Sequence, residues 1–237
     1  MSVKRDDRLL GFIPAKGSST RFPRKNLAPL QGRPLLWWAI NSAQQSGVLD
    51  KVAVSSEDEE ILQYSTDHGV DFALRRPEAL ARDPAGIVDV ALFALNQLMD
   101  QGQHFEVIVI LAPTCPLRSA TDITECVSLF DSVRPRAVMS VSEFTHTPFA
   151  TLILDEGGCL VPAFPDYFGR KSQDMPRAFR PNGAVHVLDV ARFREMRSYS
   201  APPLVPYIMP RARSIDIDHQ SDLDEANSIL NQEKQSR

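Results

Sequence analysis

A loop rich in small and cationic residues follows the first apolar segment of the chain. The run Leu9–Ile13 is typical of a buried strand, and it ends at Pro14, which cannot donate to a sheet ladder. The loop comprises Gly17, Ser18, Ser19 and Thr20, and the cationic side chains beside it are Lys16, Arg21, Arg24 and Lys25. Backbone N–H groups in such a loop form a concavity for anions, and ligands of open α/β sheets bind at the carboxyl ends of strands. The segment therefore predicts a polyphosphate site, although a basic surface loop after a strand would have the same composition.

Two carboxylates near the carboxyl end of the chain form a second candidate site. Asp216 and Asp218 stand two residues apart in Ser214–Asp218, which we interpret as a short final strand. At that spacing on a strand both side chains point to one face, where they could hold Mg²⁺ together with substrate phosphate oxygens. From these residues alone, a solvated turn before the capping box Ser221–Asp224 of the last helix is the better interpretation.

Composition and charge exclude several classes of function. The 237 residues suffice for one α/β domain, no apolar run approaches the roughly 18 residues of a membrane span, and the first residues lack a signal-peptide core. Residues 1–34 hold eight Lys/Arg against two Asp, a net of +6, while the remainder carries −10. With a pI near 5.7, this pattern favours a small polyanion over a nucleic acid or a membrane as partner.

The three cysteines indicate a reducing compartment. Cys115, Cys126 and Cys159 are an odd number without a C-x-x-C pair, and the five histidines show no zinc-ligand spacing with them. We therefore expect free thiols and a cytoplasmic protein.

Strands and helices alternate along the first 141 residues. The predicted strands are Leu9–Ile13, Lys51–Ser55, Asp71–Leu74, Val107–Leu111 and Ala137–Val141, and the predicted helices are Leu35–Ser46, Glu57–His68, Ile87–Met99 and Thr121–Phe130. Such alternation predicts an α/β fold with a single, doubly wound, mostly parallel sheet. The pattern breaks near residues 142–183, which we interpret as an inserted subdomain of one domain spanning 1–237. A strand at Ala184–Leu188 and helices at Val190–Met196 and 221–232 complete the prediction.

Five motifs in order resemble the N-acylneuraminate (sialic acid) cytidylyltransferases. They are Ile13-Pro14-Ala15-Lys16 with Pro23-Arg24-Lys25-Asn26, Arg76-Pro77 through Leu80-Ala81-Arg82-Asp83, Leu111-Ala112-Pro113-Thr114-Cys115-Pro116-Leu117-Arg118, Arg177 through Ala184, and Ser214-Ile215-Asp216-Ile217-Asp218. The loop also resembles that of the related Kdo cytidylyltransferases. Neither a P-loop nor a dinucleotide-binding fingerprint is present.

The resemblance implies a reaction in which a ketose hydroxyl of an acidic keto-sugar attacks the α-phosphorus of CTP. Lys25, Lys16 and Arg21 would then be catalytic, Asp216 and Asp218 would hold Mg²⁺, and a homodimer would form through 142–183. The nucleotide-binding residues would be Ala15, Gly17, Ser18, Ser19, Asn26, Arg76 and Asp83, and the sugar-binding residues Thr114, Arg180, Asn182 and Tyr199. For Arg180 an ordinary surface salt bridge is the alternative. Five aromatic residues, Phe144, Phe149, Phe164, Tyr167 and Phe168, fit either a dimer interface or a core.

Departures from the family pattern affect mainly the expected sugar contacts. The arginine of the first motif is Lys16, the aspartate of V-S-T-D is Glu57, and the glutamine of L-Q-P-T is Ala112. A lysine expected near the sugar aligns with Ala150. The phosphate chemistry is therefore expected to persist on a nonulosonic acid other than plain N-acetylneuraminate, such as a legionaminic, pseudaminic or deaminated analogue. Kdo-type specificity, a non-catalytic binding homologue and a purely structural protein are the alternatives.

Overall fold

The computed structural model describes residues 8–19, 21–133 and 137–235, so Thr20 of the predicted loop lies outside the described residues. Six α-helices occur in this part of the chain: α1 (Leu35–Ser46), α2 (Glu59–Asp67), α3 (Ile87–Asp100), α4 (Ala120–Val133), α5 (Val190–Met196) and α6 (Gln220–Gln235). Its strands are β1 (Leu9–Pro14), β2 (Pro29–Leu30), β3 (Arg33–Pro34), β4 (Lys51–Ser56), β5 (Phe72–Arg75), β6 (Val107–Ile110), β7 (Ala137–Glu143), β8 (Leu152–Leu154), β9 (Leu160–Pro162), β10 (Phe179–Asp189) and β11 (Val205–Ile208).

Seven strands form the central sheet in the order β11-β7-β10-β6-β1-β4-β5. Six of them are parallel, and β10 runs antiparallel between β6 and β7. The chain moves outward from β1 to β4 and β5 and then returns to place β6 on the other side of β1. This switch in strand order leaves a crevice outside the carboxyl ends of the strands, which is where open α/β sheets bind ligands.

Helices cover both faces of the sheet because its strands are apolar on both sides. Side chains of β1, β6 and β10 pack alternately against α1, α2 and α4 on one face and against α3 and α5 on the other. Fully buried examples are Ile13 on the first face and Phe12 on the second. A third, smaller apolar cluster packs α6 against the β2–β3 hairpin and buries Ile217. The predicted doubly wound, mostly parallel sheet is confirmed.

The carboxyl-terminal part of the sheet differs from the prediction in one strand. Ser214–Asp218 is not a strand, and the last strand of the sheet is instead Val205–Ile208 at its edge, beside β7. An edge position tolerates Pro206, whose missing N–H would disrupt a central strand. Ser214–Asp218 is held by other contacts, among them the Ile217 amide, which donates to the Thr114 carbonyl at 2.8 Å.

Residues 144–178 leave the central sheet between β7 and β10. They contain the two-stranded hairpin β8–β9 and several short 3₁₀ turns, while residues 142–143 and 179–183 of the predicted insert belong to sheet strands. The antiparallel pairing of β10 with β7 is interrupted between Pro181 and His186, which brings the bulged segment 182–185 to the edge of the crevice.

Candidate active site

Residues from distant parts of the sequence meet at the carboxyl edge of the sheet. The Lys25 ammonium donates to the Asp218 carboxylate at 2.7 Å, although 193 positions separate the two residues in the chain. An Arg21 guanidinium nitrogen lies 2.9 Å from the other oxygen of the same carboxylate. Lys25 is largely enclosed, with 13% of its side chain exposed, whereas Arg21 is mostly in solvent. The cationic loop after β1 and the carboxyl-terminal acidic segment therefore form one site.

Asp216 lines the same site without an ion pair among the described residues. It is accessible to solvent but surrounded by protein, the combination expected in a cleft. Desolvation raises the pKa of its carboxyl, and the negative charge of Asp218 raises it further, while a hydrogen bond from Thr114 opposes both effects. For Asp218, the hydrogen bond from Lys25 is the main reason that the pKa is lowered. The charge of Asp218 is therefore neutralised by its cationic partners, whereas the charge of Asp216 is poorly compensated.

A glycine shapes the β10 bulge where it passes Cys115 and Asp216. Gly183 has φ = +73°, and a Cβ atom there would lie 3.3 Å from the Cys115 sulfur and 4.0 Å from the Asp216 carboxylate. A larger residue would be strained in this conformation and would crowd the Cys115 sulfur. Burial raises the pKa of the Cys115 thiol to about 12, so this cysteine stays protonated and is not a nucleophile.

The backbone amides of the predicted phosphate loop already have partners. The Glu57 carboxylate accepts from the Gly17 amide at 2.8 Å and from the Ser18 amide at 3.2 Å. The Ser19 amide donates to the Gly17 carbonyl at 3.1 Å. This arrangement differs from the predicted anion-binding concavity, because a carboxylate of the protein occupies the position expected for phosphate.

The remaining loop residues differ in what they offer to a ligand. Lys16 is exposed, whereas the amide of buried Ala15 donates to the Ser55 carbonyl at 3.0 Å. Asn26 is buried and donates to the Lys16 carbonyl at 2.8 Å, which fixes the loop, while its side-chain oxygen has no hydrogen-bond partner in the described residues. Because an unpaired buried carbonyl oxygen is costly, Asn26 is a candidate to accept from a bound ligand.

Arg76 is a buried partner of Glu57. Its guanidinium donates to the carboxylate at 3.1 Å and 2.9 Å, and it borders an open cavity of about 590 Å³ at the edge of the sheet. The cavity is lined by Glu57, Arg75, Arg76, Pro77, Glu78, Phe93 and Gln97. Asp83 lies in the exposed segment after the turn Glu78–Ala81, and no described contact joins it to the other site residues.

The four predicted sugar-binding residues lie in different environments. The Thr114 side chain forms a hydrogen bond with the Asp216 carboxylate. Arg180 is exposed, and its Nε donates to the Ser142 hydroxyl at 3.3 Å. Tyr199 packs edge-to-face against His186 on the α3–α5 side of the sheet.

Asn182 has a different environment from the one expected of a sugar ligand. It is buried, and its amide bonds to Ser140, Ser214 and the Ala184 amide. These contacts occupy both ends of the amide, so Asn182 shapes the bulge and presents no free group to the cleft.

Two buried charged groups that organise the site were missing from the sequence-based set. Arg118 donates to the carbonyls of Ala112 and Ala184 and to the Ser42 hydroxyl, which ties the loop after β6 to the bulge and to α1. Burial lowers its pKa to about 10, so it is still charged at neutral pH. Its place in the third motif was the only signal in the sequence, because its backbone partners are set by the fold.

Asp122 anchors the segment that leads to the acidic pair. This carboxylate is buried at the start of α4 and pairs with Arg213, which directly precedes Ser214–Asp218. It also accepts from the Tyr207 hydroxyl at 3.0 Å. The contacts join β11, α4 and the acidic segment, and thereby limit where Asp216 and Asp218 can lie.

Comparison with known proteins identifies the family. The family model described as "Cytidylyltransferase" matches residues 10–135, which is more than half of the chain. The chain belongs to the cytidylyltransferase family. This cytidylyltransferase is accordingly a nucleotidyltransferase, and the match includes the loop after β1, Glu57, Arg76 and Arg118.

Relatives of this cytidylyltransferase align over nearly its whole length. It is 28% identical over 220 residues to the pseudaminic acid cytidylyltransferase of Campylobacter jejuni, covering 93% of this chain and 95% of the relative. It is 29% identical over 235 residues to the CMP-N,N'-diacetyllegionaminic acid synthase of Legionella pneumophila, with coverages of 95% and 98%. A solved structure, a CMP:2-keto-3-deoxy-manno-octonic acid synthetase complexed with CTP, has the same fold with a TM-score of 0.70 at 14% identity, covering 95% of this chain and 99% of that one.

The described residues contain neither a membrane-spanning helix nor a ready-made metal centre. No helix in residues 8–19, 21–133 or 137–235 is long and apolar enough to cross a bilayer. In the same part of the chain, no three His, Cys, Asp or Glu side chains cluster as metal ligands. Any divalent cation at Asp216 and Asp218 would need further ligands from substrate or water.

Proposed function

We propose that this cytidylyltransferase activates a nonulosonic acid with CTP, giving a CMP-sugar and pyrophosphate. The observation that carries the proposal is the meeting of Lys25 and Arg21 with the acidic pair at the switch point of the sheet. The relatives named for pseudaminic and legionaminic acids support the choice of sugar class.

The reaction joins one hydroxyl oxygen of the sugar to the α-phosphorus of CTP and breaks the bond from that phosphorus to the bridging oxygen of pyrophosphate. Such a displacement depends on charge neutralisation and alignment more than on covalent catalysis. Lys25 is the best placed of the cationic residues to neutralise the phosphates, because it is fixed and largely enclosed. Arg21 and Lys16 are exposed and supply charge at the rim of the cleft.

The acidic pair fits a magnesium ion. Asp216 is a carboxylate whose charge is poorly compensated by the protein, and Asp218 lies beside it. One or two carboxylates completed by phosphate oxygens and water are the usual protein ligands of Mg²⁺. When bound there, the ion would offset negative charge on the phosphates and polarise the reacting phosphoryl group. Thr114 orients Asp216 through its hydroxyl, and Lys25 orients Asp218.

Sugar recognition is assigned to the β10 side of the cleft. The exposed Arg180 guanidinium can pair bidentately with the carboxylate that every such keto-acid carries. Ala112 offers neither a charge nor a side-chain hydrogen bond at the end of β6, which favours a sugar with a less polar substituent there. This supports a pseudaminic or legionaminic type of substrate over N-acetylneuraminate.

The test is pyrophosphate release from CTP and Mg²⁺ with a panel of keto-acids: N-acetylneuraminic, pseudaminic, legionaminic and deaminated nonulosonic acids, and the eight-carbon Kdo. Release with one or more nine-carbon acids but not with Kdo is expected. Asp216→Asn should reduce turnover by about 100-fold or more, since a charge needed at the reacting phosphate is lost. Asp224→Asn, at an exposed carboxylate on α6 that accepts from Gln220, is the matched control. Folded protein that binds CTP but releases no pyrophosphate with any acid would refute the proposal.

A homodimer through the β8–β9 hairpin accompanies the proposed function. The hairpin and the segment that follows it expose several large apolar side chains: Leu152, Ile153, Leu154, Leu160, Phe164 and Phe168. Exposed apolar patches of this kind are typical of interfaces, and a second copy of the chain is the proposed partner.

The three cysteines are free, and two of them are buried, which agrees with the proposed cytoplasmic location.

A further inference from the structure

Glu57 connects two parts of the nucleotide site through the two oxygens of one carboxylate. One oxygen accepts from the backbone amides of Gly17 and Ser18, at 2.8 Å and 3.2 Å. The other accepts from two nitrogens of the Arg76 guanidinium, at 3.1 Å and 2.9 Å. Glu57 follows β4, so a residue outside both segments links the loop after β1 to the residue after β5.

The Glu57–Arg76 ion pair is buried, and its two opposite charges neutralise each other. Glu57 is 9% exposed and Arg76 is 4% exposed. Burial alone would raise the pKa of the Glu57 carboxyl, but its hydrogen bonds and the charge of Arg76 outweigh this effect and lower it. If the carboxylate moved away, the buried Arg76 guanidinium would be left with an unpaired charge, which is strongly unfavourable, and the amides of Gly17 and Ser18 would lose their acceptor.

The backbone on both sides of this contact is packed closely. A Cβ atom at residue 17 would overlap the side chain of Asp58, the residue after Glu57. Asp58 in turn caps α2 by accepting from the amides of Glu60 and Ile61. The loop therefore lies directly against the start of α2, with no room for a phosphate between the loop amides and Glu57.

We propose that Glu57 is a positioning residue that remains in place when the nucleotide binds and couples the triphosphate loop to Arg76. On this proposal the phosphates are bound by the side chains of Lys16, Arg21 and Lys25, and not by the amides of Gly17 and Ser18. The inference rests on the proposed function, because it takes CTP as the ligand. The opposite possibility is that Glu57 imitates a phosphate in the free protein and is displaced by CTP.

Glu57→Gln distinguishes the two because it keeps the shape and removes the charge. Calorimetric titration with CTP and Mg²⁺ should show binding weakened by about 10- to 100-fold, since hydrogen bonds to a charged acceptor are lost. The KM for CTP should rise while kcat and the KM for the sugar stay near those of the parent protein. Glu59→Gln is the matched control, because Glu59 lies two residues after Glu57 and forms an exposed ion pair with Arg75.

A double substitution protects the test against misfolding. Arg76→Met with Glu57→Gln removes the unpaired buried charge, so this variant should fold even where the single one is unstable. Because the two residues act as one unit, the double variant should bind CTP no more weakly than Arg76→Met alone. Tighter CTP binding by Glu57→Gln would show that the carboxylate competes with phosphate. Unchanged binding would show that the loop keeps its conformation without the Glu57 charge. Either result overturns the proposal.

Hydrogen exchange separates this inference from the proposed function. In the absence of any ligand, the amides of Gly17 and Ser18 should exchange at least 10-fold faster in Glu57→Gln than in the parent protein. Parent protein that fails to bind CTP would refute the proposed function, while the exchange rates would still report on Glu57. Equal exchange rates in the two proteins would refute the positioning role even if the parent enzyme is active.

Discussion

Replacing Asp218 by asparagine is expected to separate nucleotide binding from turnover. In the free protein, Asp218 pairs with both Lys25 and Arg21, so the groups proposed to bind triphosphate and those proposed to bind Mg²⁺ neutralise each other. Metal-free CTP must compete with this carboxylate for the two cations. The asparagine amide is similar in size but carries no charge, which leaves the cations available to phosphate.

The size of the effect follows from the exposure of the pair. Exposed ion pairs contribute about 0–1 kcal/mol, whereas breaking a buried pair costs about 3–5 kcal/mol. Lys25 and Asp218 are 13% and 32% exposed, and their atoms are 2.7 Å apart, which places this pair between the two classes at about 1–2 kcal/mol. The Arg21 pair is 65% exposed on the arginine side and adds little. Metal-free CTP should therefore bind about 5- to 30-fold more tightly to Asp218→Asn.

Turnover should change in the opposite direction. Loss of a carboxylate that is proposed to hold the metal is expected to reduce pyrophosphate release with Mg²⁺ by about 100-fold or more. Calorimetry in EDTA measures the first effect, and the coupled pyrophosphate assay measures the second. Glu60→Gln, which removes an exposed carboxylate from nearby Arg24, is the control and should change neither by more than about twofold. If Asp218→Asn binds metal-free CTP no better than the parent protein, the proposed competition is refuted.

Three further predictions concern stability and assembly. Burial lowers the pKa of His186 to about 4, so in acid the unfolded state binds a proton that the folded state does not, and the free energy of unfolding should fall by about 3 kcal/mol as pH drops from about 6.5 to 4. Urea titrations at both pH values should show this loss, and His186→Phe should largely abolish it. If the pH dependence of His186→Phe equals that of the parent protein, the prediction is contradicted. Arg118→Met leaves two buried carbonyls without their donor and should lower the free energy of unfolding by about 2–4 kcal/mol, while Arg82→Met, at an exposed helical-turn pair, should cost less than about 1 kcal/mol in the same titration. Leu154→Asp and Leu160→Asp, at side chains that are 69% and 64% exposed, should convert a dimer to a monomer in light scattering without loss of the fold, and a monomeric parent protein would rule out the proposed dimer.

Much of the fold was predictable because its elements carry strong local patterns. The buried strands β1 and β6 are apolar runs, β4 and β7 are rich in small and β-branched apolar residues, and the helix Leu35–Ser46 has the predicted bounds. Alternation of these elements restricts the topology to a doubly wound sheet, since parallel strands need crossover helices and those crossovers are right-handed. Such signals act over a few residues, so they are readable without knowledge of the tertiary structure.

The last strand shows where local pattern is insufficient. Val205–Ile208 is only four residues long and contains Pro206, yet it pairs in parallel with β7 at the edge of the sheet. Ser214–Asp218 has the alternation of a strand, but Ile217 is buried by α6 and the β2–β3 hairpin and its amide bonds to the loop after β6. Whether a segment joins a ladder depends on which strand is beside it, and that strand lies far away in the sequence.

The site divides in the same way between what the sequence determined and what the tertiary structure decided. The sequence determined the kinds of groups present: a cationic loop after the first strand, an acidic pair near the carboxyl end, and the family to which these belong. The tertiary structure decided their partners. It paired Lys25 with Asp218, assigned the loop amides to Glu57, and gave Asn182 and Arg118 buried connecting roles. The physical reason is that residue type sets charge and hydrogen-bonding capacity locally, whereas burial and proximity arise only when distant segments pack together.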